Sequence, residues 1–146
     1  MSAACSIRLA SWQEVRAAVA PVREAVFLRE QGVPEDLEWD EHDATALHAV
    51  ALGPLGRAIG TARLLADGQI GRMAVLASWR GRGVGSAMLE MLLAAARERG
   101  LRDVRLNAQV QAIAFYERHG FTAGGSEFLD AGIPHVAMHR QVGSTS

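Results

Sequence analysis

Three glycines at alternate positions, Gly81, Gly83 and Gly85, set between an extended apolar run and an amphipathic stretch, constrain this chain more than any other feature. From Val84 to about Arg99 the apolar residues Val84, Ala87, Met88, Met91, Leu92 and Ala95 recur at spacings of three and four, the repeat of one helix face, and Gly100 supplies the stop. A strand ending at Leu76 and this helix are joined by Ser78-Trp79-Arg80-Gly81-Arg82-Gly83-Val84-Gly85-Ser86. Such a loop removes the Cβ atoms that would keep out a bulky anion. The helix behind it aims unpaired N–H groups and about half a positive charge at the opening. Arg80 and Arg82 add charge, and a diphosphate suits the loop because successive backbone donors can bond its oxygens without a metal.

The rest of the chain reads as alternating short elements. Residues 6–10 alternate as a strand, and Ser11-Trp12-Gln13-Glu14 has the form of a capping box. The helix that follows carries a stripe of Trp12, Val15, Val19, Val22 and Val26, with Pro21 expected to kink or split it. Three strands are predicted at 47–52, 57–65 and 69–76, the last two joined by the hairpin signal Asp67-Gly68. Val104, Leu106 and Ala108 mark a further strand, residues 111–119 a short helix ended by Gly120, and Phe121 opens an extended segment. In a closing strand over 134–140, Val136 and Met138 share one face and His135 and His139 the other. The order predicts one α/β domain over residues 1–146, built on a single mixed, mostly antiparallel sheet of six to seven strands, with residues 143–146 as a disordered tail.

Composition narrows the chemistry. The 146 residues carry fifteen basic and sixteen acidic side chains for a net charge of −1, which offers no basic face for nucleic acid. All fifteen bases are arginine, so lysine Schiff bases and the lysine-dependent P-loop are excluded. The lone Cys5 builds neither a disulfide framework nor a cysteine-rich zinc site, and no apolar run spans a membrane, so a cytoplasmic protein is expected. Residues 30–43 hold seven carboxylates, yet a calcium loop from Asp36 fails at Glu41 and Leu47, and His42 and His48 are badly spaced for a metal; none is expected. A dinucleotide fingerprint fails at Ser86, and too little chain follows the loop, which leaves NAD as the runner-up ligand.

The segment Arg80-Gly81-Arg82-Gly83-Val84-Gly85 resembles the arginine-x-x-glycine-x-glycine signature of the GNAT superfamily of N-acetyltransferases. The run Asn107-Ala108-Gln109 through Ala114-Phe115-Tyr116-Glu117-Arg118-His119-Gly120-Phe121 is similar to the second half of that signature. Glu30-Gln31-Gly32-Val33-Pro34, the acidic loop with His48, and Gly132-Ile133-Pro134-His135-Val136-Ala137-Met138 resemble the ElaA-like branch, and the last segment is also similar to glyphosate N-acetyltransferase.

The resemblance implies a GNAT fold splayed at a cleft for acetyl-CoA, the expected cosubstrate. Its pyrophosphate would lie on Arg80, Gly81, Arg82, Gly83, Val84, Gly85 and Ser86, and its pantetheine arm beside Met73, Ala74, Val75 and Asn107. Ala74 or Val75 would supply a backbone donor to the thioester oxygen. Tyr116, the single tyrosine, matches the sulfur-facing acid of the family. For the base, His135 matches the histidine of the glyphosate enzyme, and Glu30 is its rival. Arg72 corresponds to a substrate-gripping arginine, whereas Gln109 stands where that enzyme has an arginine, and the acidic loop argues instead for a cationic acceptor. The expected reaction is acetyl transfer to a primary amine of a small molecule or peptide, by direct attack in a ternary complex. A non-catalytic acyl-CoA-binding sensor is the alternative. The sequence is compatible with a homodimer.

Overall fold

The computed structural model describes residues 5–33 and 41–143. Asp36, Glu38 and Asp40 of the acidic loop and the last three tail residues lie outside them. Eight strands form two four-stranded sheets where the sequence predicts one: β1 (Ser6–Ser11), β2 (Leu47–Leu52), β3 (Ala58–Leu64) and β4 (Ile70–Val75) in order 1-2-3-4, and β5 (Asp103–Gln109), β6 (Thr122–Ala123) and β7 (Phe128–Asp130) gathered around β8 (Ile133–Gln141). All paired strands are antiparallel. A parallel bridge from Gln69 to Arg105 joins the sheets, reinforced by the Arg105 amide donating to the Gly68 carbonyl at 3.0 Å.

Helix α1 (Trp12–Arg23) covers one face of the first sheet and α2 (Val84–Glu98) the other. Val15, Val19, Val22 and Val26 pack with Val50, Ala58 and Ala74, while Met88, Leu89, Leu92 and Leu93 pack with Ala49, Ala51, Ile59 and Leu64. Strand β3 is buried along its whole length because it lies between two helical layers, so it lacks the polar alternation of a one-sided strand. The capping box forms as predicted, Ser11 N–H donating to Glu14 Oε1 at 3.0 Å. Of the predicted α2 stripe, Val84, Met88, Leu92 and Ala95 are buried, but the buried face is shifted from the sequence reading. Leu89, Leu93 and Ala96 are buried, whereas Ala87 and Met91 are exposed.

Pro21 does not split α1. The helix runs through it and passes at Glu24 into a π-helical segment, Glu24–Glu30, so the irregularity falls after the proline and takes the form of a wider turn. Buried Arg23 sits at this junction and donates two hydrogen bonds of 2.9 Å to Asp43. Those bonds anchor the chain where the helix widens. The 111–119 segment is a 3₁₀ turn at Val110–Ala112 followed by α3 (Ile113–Glu117). Gly143 does not begin a loose tail: its amide donates to the Arg102 carbonyl at 3.1 Å.

Candidate functional site

Just before β4, Gln69 forms its parallel bridge with Arg105 of β5, and beyond that point β4 and β5 belong to separate sheets. A cleft of about 1100 Å³ occupies the wedge, walled by β4, β5, the π-helical segment, the glycine loop, α3 and the β7–β8 hairpin. Two devices keep the wedge open. Strand β4 carries a bulge, since Thr61 stands opposite Ala74 but Arg63 opposite Gly71, and Arg72 within it takes φ +50°. A non-glycine residue in that region carries strain on the order of 1–3 kcal/mol, which the surrounding packing must hold. Phe115 and Met73 also fill the floor beneath Gly85, lying 3.5 and 3.9 Å from where its Cβ would be.

The bulge decides which backbone groups face the cleft. Leu76 N–H donates inward to the Ile59 carbonyl at 2.9 Å, so by the alternation of an antiparallel ladder Val75 directs both its N–H and its carbonyl outward. The Val75 carbonyl is met from the cleft side by Arg80 Nε at 3.0 Å. Ala74 belongs to the opposite phase, paired with Thr61. Of the two backbone donors expected from the sequence, Val75 is the one on the open edge.

The glycine loop leaves the room that the missing Cβ atoms predict. Gly81 and Gly83 take φ +76° and +82°, conformations that a side chain resists, and nothing lies within 4 Å of a Cβ built at either position. The empty volume above them faces the first turn of α2, where Val84, Gly85 and Ser86 have no helical acceptors for their N–H groups. This geometry fits an anion carrying several oxygens. Arg82 lies with its guanidinium 4.9 Å from the Trp79 ring centroid. Arg80 is engaged differently from the expected phosphate contact: its two terminal nitrogens donate to the Glu30 carboxylate at 2.6 Å each, while Nε holds Val75. It ties the π-helical segment to the end of β4.

That ion pair also bears on the base. The hydrogen bonds from Arg80 hold the Glu30 carboxyl below the usual carboxylate range, and a carboxylate so held is a poor proton acceptor. His135 is placed otherwise. Its Nδ1 donates to the Ile133 carbonyl at 2.6 Å, which leaves the Nε2 lone pair available, and Phe128 stacks on the ring at 6.0 Å. Sequence alternation put His135 on the face with exposed His139, but His135 is only 9% exposed because β7 covers it.

Tyr116 stands across the cleft on α3. Its hydroxyl donates to Met73 Sδ at 3.9 Å, and its ring packs edge-on against Phe115 and Phe121, with centroids 5.0 and 6.0 Å away. Burial pushes the phenol up to about 12, so it stays protonated at neutral pH. Arg72, Asn107 and Gln109 also line the cleft. Gln109 donates to Gln31 Oε1 at 3.2 Å and accepts from Gln111 at 2.6 Å, forming an amide cluster in the cleft wall.

Two groupings escape the sequence reading. The first is a buried ion cluster below the cleft: Asp43 accepts from Arg23 and Arg63 at 2.9 Å, and the Asp43 carbonyl meets His48 Nε2 at 2.9 Å. Burial pulls the Asp43 carboxyl upward, but the bonds and charges of the two arginines outweigh it and hold it below its ordinary value. The second joins Ser86, His119 and Glu90, which are separated by up to 33 residues; the helical spacing of Ser86 and Glu90 is its sole local hint. Among the described residues no group of three or more His, Cys, Asp or Glu side chains could hold a metal ion, and no helix is long and apolar enough to cross a membrane.

A sheet split by a bulge, with a glycine-lined helix start at its mouth, defines the architecture of an acyl-CoA-dependent transferase. Residues 13–142 match the family described as Acetyltransferase (GNAT) domain, and the chain belongs to that family. A Bacillus subtilis protein described as uncharacterized N-acetyltransferase YjcF is 41% identical over 121 residues, covering 80% of this chain and 86% of that protein. An acyl-CoA N-acyltransferase from Pseudomonas aeruginosa superposes with a TM-score of 0.83 at 30% identity, over 93% of this chain and 99% of that one. Escherichia coli ElaA matches equally well, with a TM-score of 0.83 at 26% identity and the same coverage of 93% and 99%. The ElaA-like character read from the sequence is thus present in the fold.

Proposed function

We propose that this chain transfers the acetyl group of acetyl-CoA to a primary amine of a small molecule or peptide, by direct attack in a ternary complex. The observation that carries the reading is the wedge between β4 and β5, which presents a free strand edge leading into a glycine cradle. The cradle from Gly81 to Ser86 suits the diphosphate, and the open edge of β4 suits the amide groups of the pantetheine arm. Acetyl-CoA supplies an activated acyl carbonyl and a thiol leaving group.

The chain supplies the remaining functions. The Val75 N–H is aimed where negative charge develops on the acyl oxygen, a fixed donor that needs no reorganisation. His135 Nε2 takes the proton from the attacking amine, and the Tyr116 hydroxyl gives one to the departing sulfur. The Arg80–Glu30 pair positions Val75 by holding its carbonyl. Gln31, Gln109 and Arg72 receive the acceptor, and Asn107 lies beside the pantetheine arm. The lone Cys5 and the charge balance support a cytoplasmic setting and small acceptors over nucleic acid.

Thermal shifts with acetyl-CoA, coenzyme A and NAD, followed by a thiol-release assay over an amine panel that includes peptides, test the reading. Stabilisation by both coenzyme A species, with amine-dependent thiol release, is the expected result. Binding without release on any amine would leave the sensor alternative standing, and stabilisation by NAD alone would overturn both.

A further inference from the structure

His119 lies behind the cradle, outside the lining of the cleft, and three contacts hold it in place. Its Nδ1 is 2.6 Å from Glu90 Oε2, its Nε2 is 2.9 Å from Ser86 Oγ, and Phe115 flanks the ring at 5.1 Å. The Arg140 guanidinium donates to the His119 carbonyl at 2.8 Å and so clamps the backbone of the turn. Of the charged groups around it, Glu90 of α2 is the one bonded to the ring; Arg140 of β8 reaches only the main chain, and Glu117 and Arg118 are its neighbours along its own turn. Ser86 is the third residue of α2 and lines the cleft beside Gly83 and Gly85.

We infer that His119, backed by Glu90, is a positioning residue that sets the direction of the Ser86 hydroxyl and couples binding of the cofactor diphosphate to uptake of a proton. The reasoning is a count of donors and acceptors. A carboxylate only accepts, so the Nδ1 facing Glu90 carries the hydrogen. In the neutral ring Nε2 is then an acceptor, Ser86 must donate to it, and the oxygen that Ser86 shows to the cleft offers lone pairs, which repel a phosphate oxygen. In the imidazolium both nitrogens donate. Nε2–H then donates to Ser86 Oγ, and the Ser86 O–H is released to point at the anion. The anion accordingly binds better to the protonated pair, and by linkage its binding draws a proton onto His119.

This inference rests on the cradle reading of the proposed function, and its test separates the two. The probe is 3′-dephospho-coenzyme A, whose diphosphate has no proton that titrates near neutrality. Titration calorimetry in buffers of different ionisation enthalpy, between about pH 6 and pH 8, counts the protons bound with it. The native chain should take up a fraction of a proton, and its Kd should rise with pH by up to about tenfold per unit. In His119→Gln and in Ser86→Ala the uptake should be lost and the pH dependence flattened. Glu90→Gln, a change at an exposed side chain, should move the uptake to lower pH and keeps the test open should His119→Gln not fold. Equal proton uptake in the native chain, Ser86→Ala and Glu90→Gln overturns the inference, including any uptake that comes from His135. Failure of the native chain to bind the probe at all overturns the cradle reading itself.

Discussion

Removal of one oxygen from Tyr116 separates chemistry from folding more cleanly than any other change in the cleft. Among the described residues the hydroxyl has one hydrogen-bond acceptor, the Met73 sulfur at 3.9 Å, a weak partner. Its loss in Tyr116→Phe leaves the ring contacts with Phe115 and Phe121 in place, so stability should change by less than about 1 kcal/mol. Loss of a positioned acid lowers turnover by about 10² to 10⁴, which raises the barrier by about 3 to 5 kcal/mol. Burial holds the phenol at about 12, so the native enzyme should show no alkaline loss of kcat from this group below about pH 11. Thiol release under saturating acetyl-CoA and amine gives kcat, and a thermal melt on the same sample gives stability. A kcat within threefold of the native value, or a fall that merely tracks a lower Tm, refutes the assignment of Tyr116 as the acid.

Other expectations follow from the same geometry. His135→Ala should lower kcat by about 10² to 10⁴ at saturating acetyl-CoA, whereas Glu30→Gln should lower it far less; the reverse pattern would return the base to Glu30. Gly85 takes helical backbone and has ordinary contact distances around a new Cβ, so Gly85→Ala should hold or raise stability by up to about 1 kcal/mol while raising the KM for acetyl-CoA; an unchanged KM argues against a cofactor over the cradle. Asp43→Ala removes the buried carboxylate that accepts from Arg23 and Arg63 and should cost about 3 to 5 kcal/mol, or roughly 10 °C in Tm, against under 1 kcal/mol if the cluster is dispensable. The Asp43 carboxyl is held below its ordinary value in the folded state. Its contribution to stability is therefore complete above the unfolded value near 3.8 and is lost as pH falls through the depressed one, so urea midpoints of the native chain should drop steeply there and those of Asp43→Asn should not.

What could be read from the chain alone was whatever depends on near neighbours. The capping box at Ser11 and Glu14, the Asp67-Gly68 hairpin, the helix from Val84 and the open glycine cradle all involve residues a few positions apart, where covalent geometry limits the choices. The candidates Tyr116, His135 and Ala74 or Val75 were proposed for the same reason, each from a short motif that resembles the family's. The tertiary structure decided the rest. A strand pattern cannot show that β4 and β5 part after the Gln69 bridge, nor that the extra residue at Arg72 turns Val75 rather than Ala74 outward. Contacts across fifty residues made Arg80 a tie to Glu30 instead of a bare phosphate ligand, and packing of α3 against α2 set His119 between Ser86 and Glu90. Sequence spacing reports angles around one helix or along one strand. The polar partners of a buried group are chosen by which surfaces the whole core brings together.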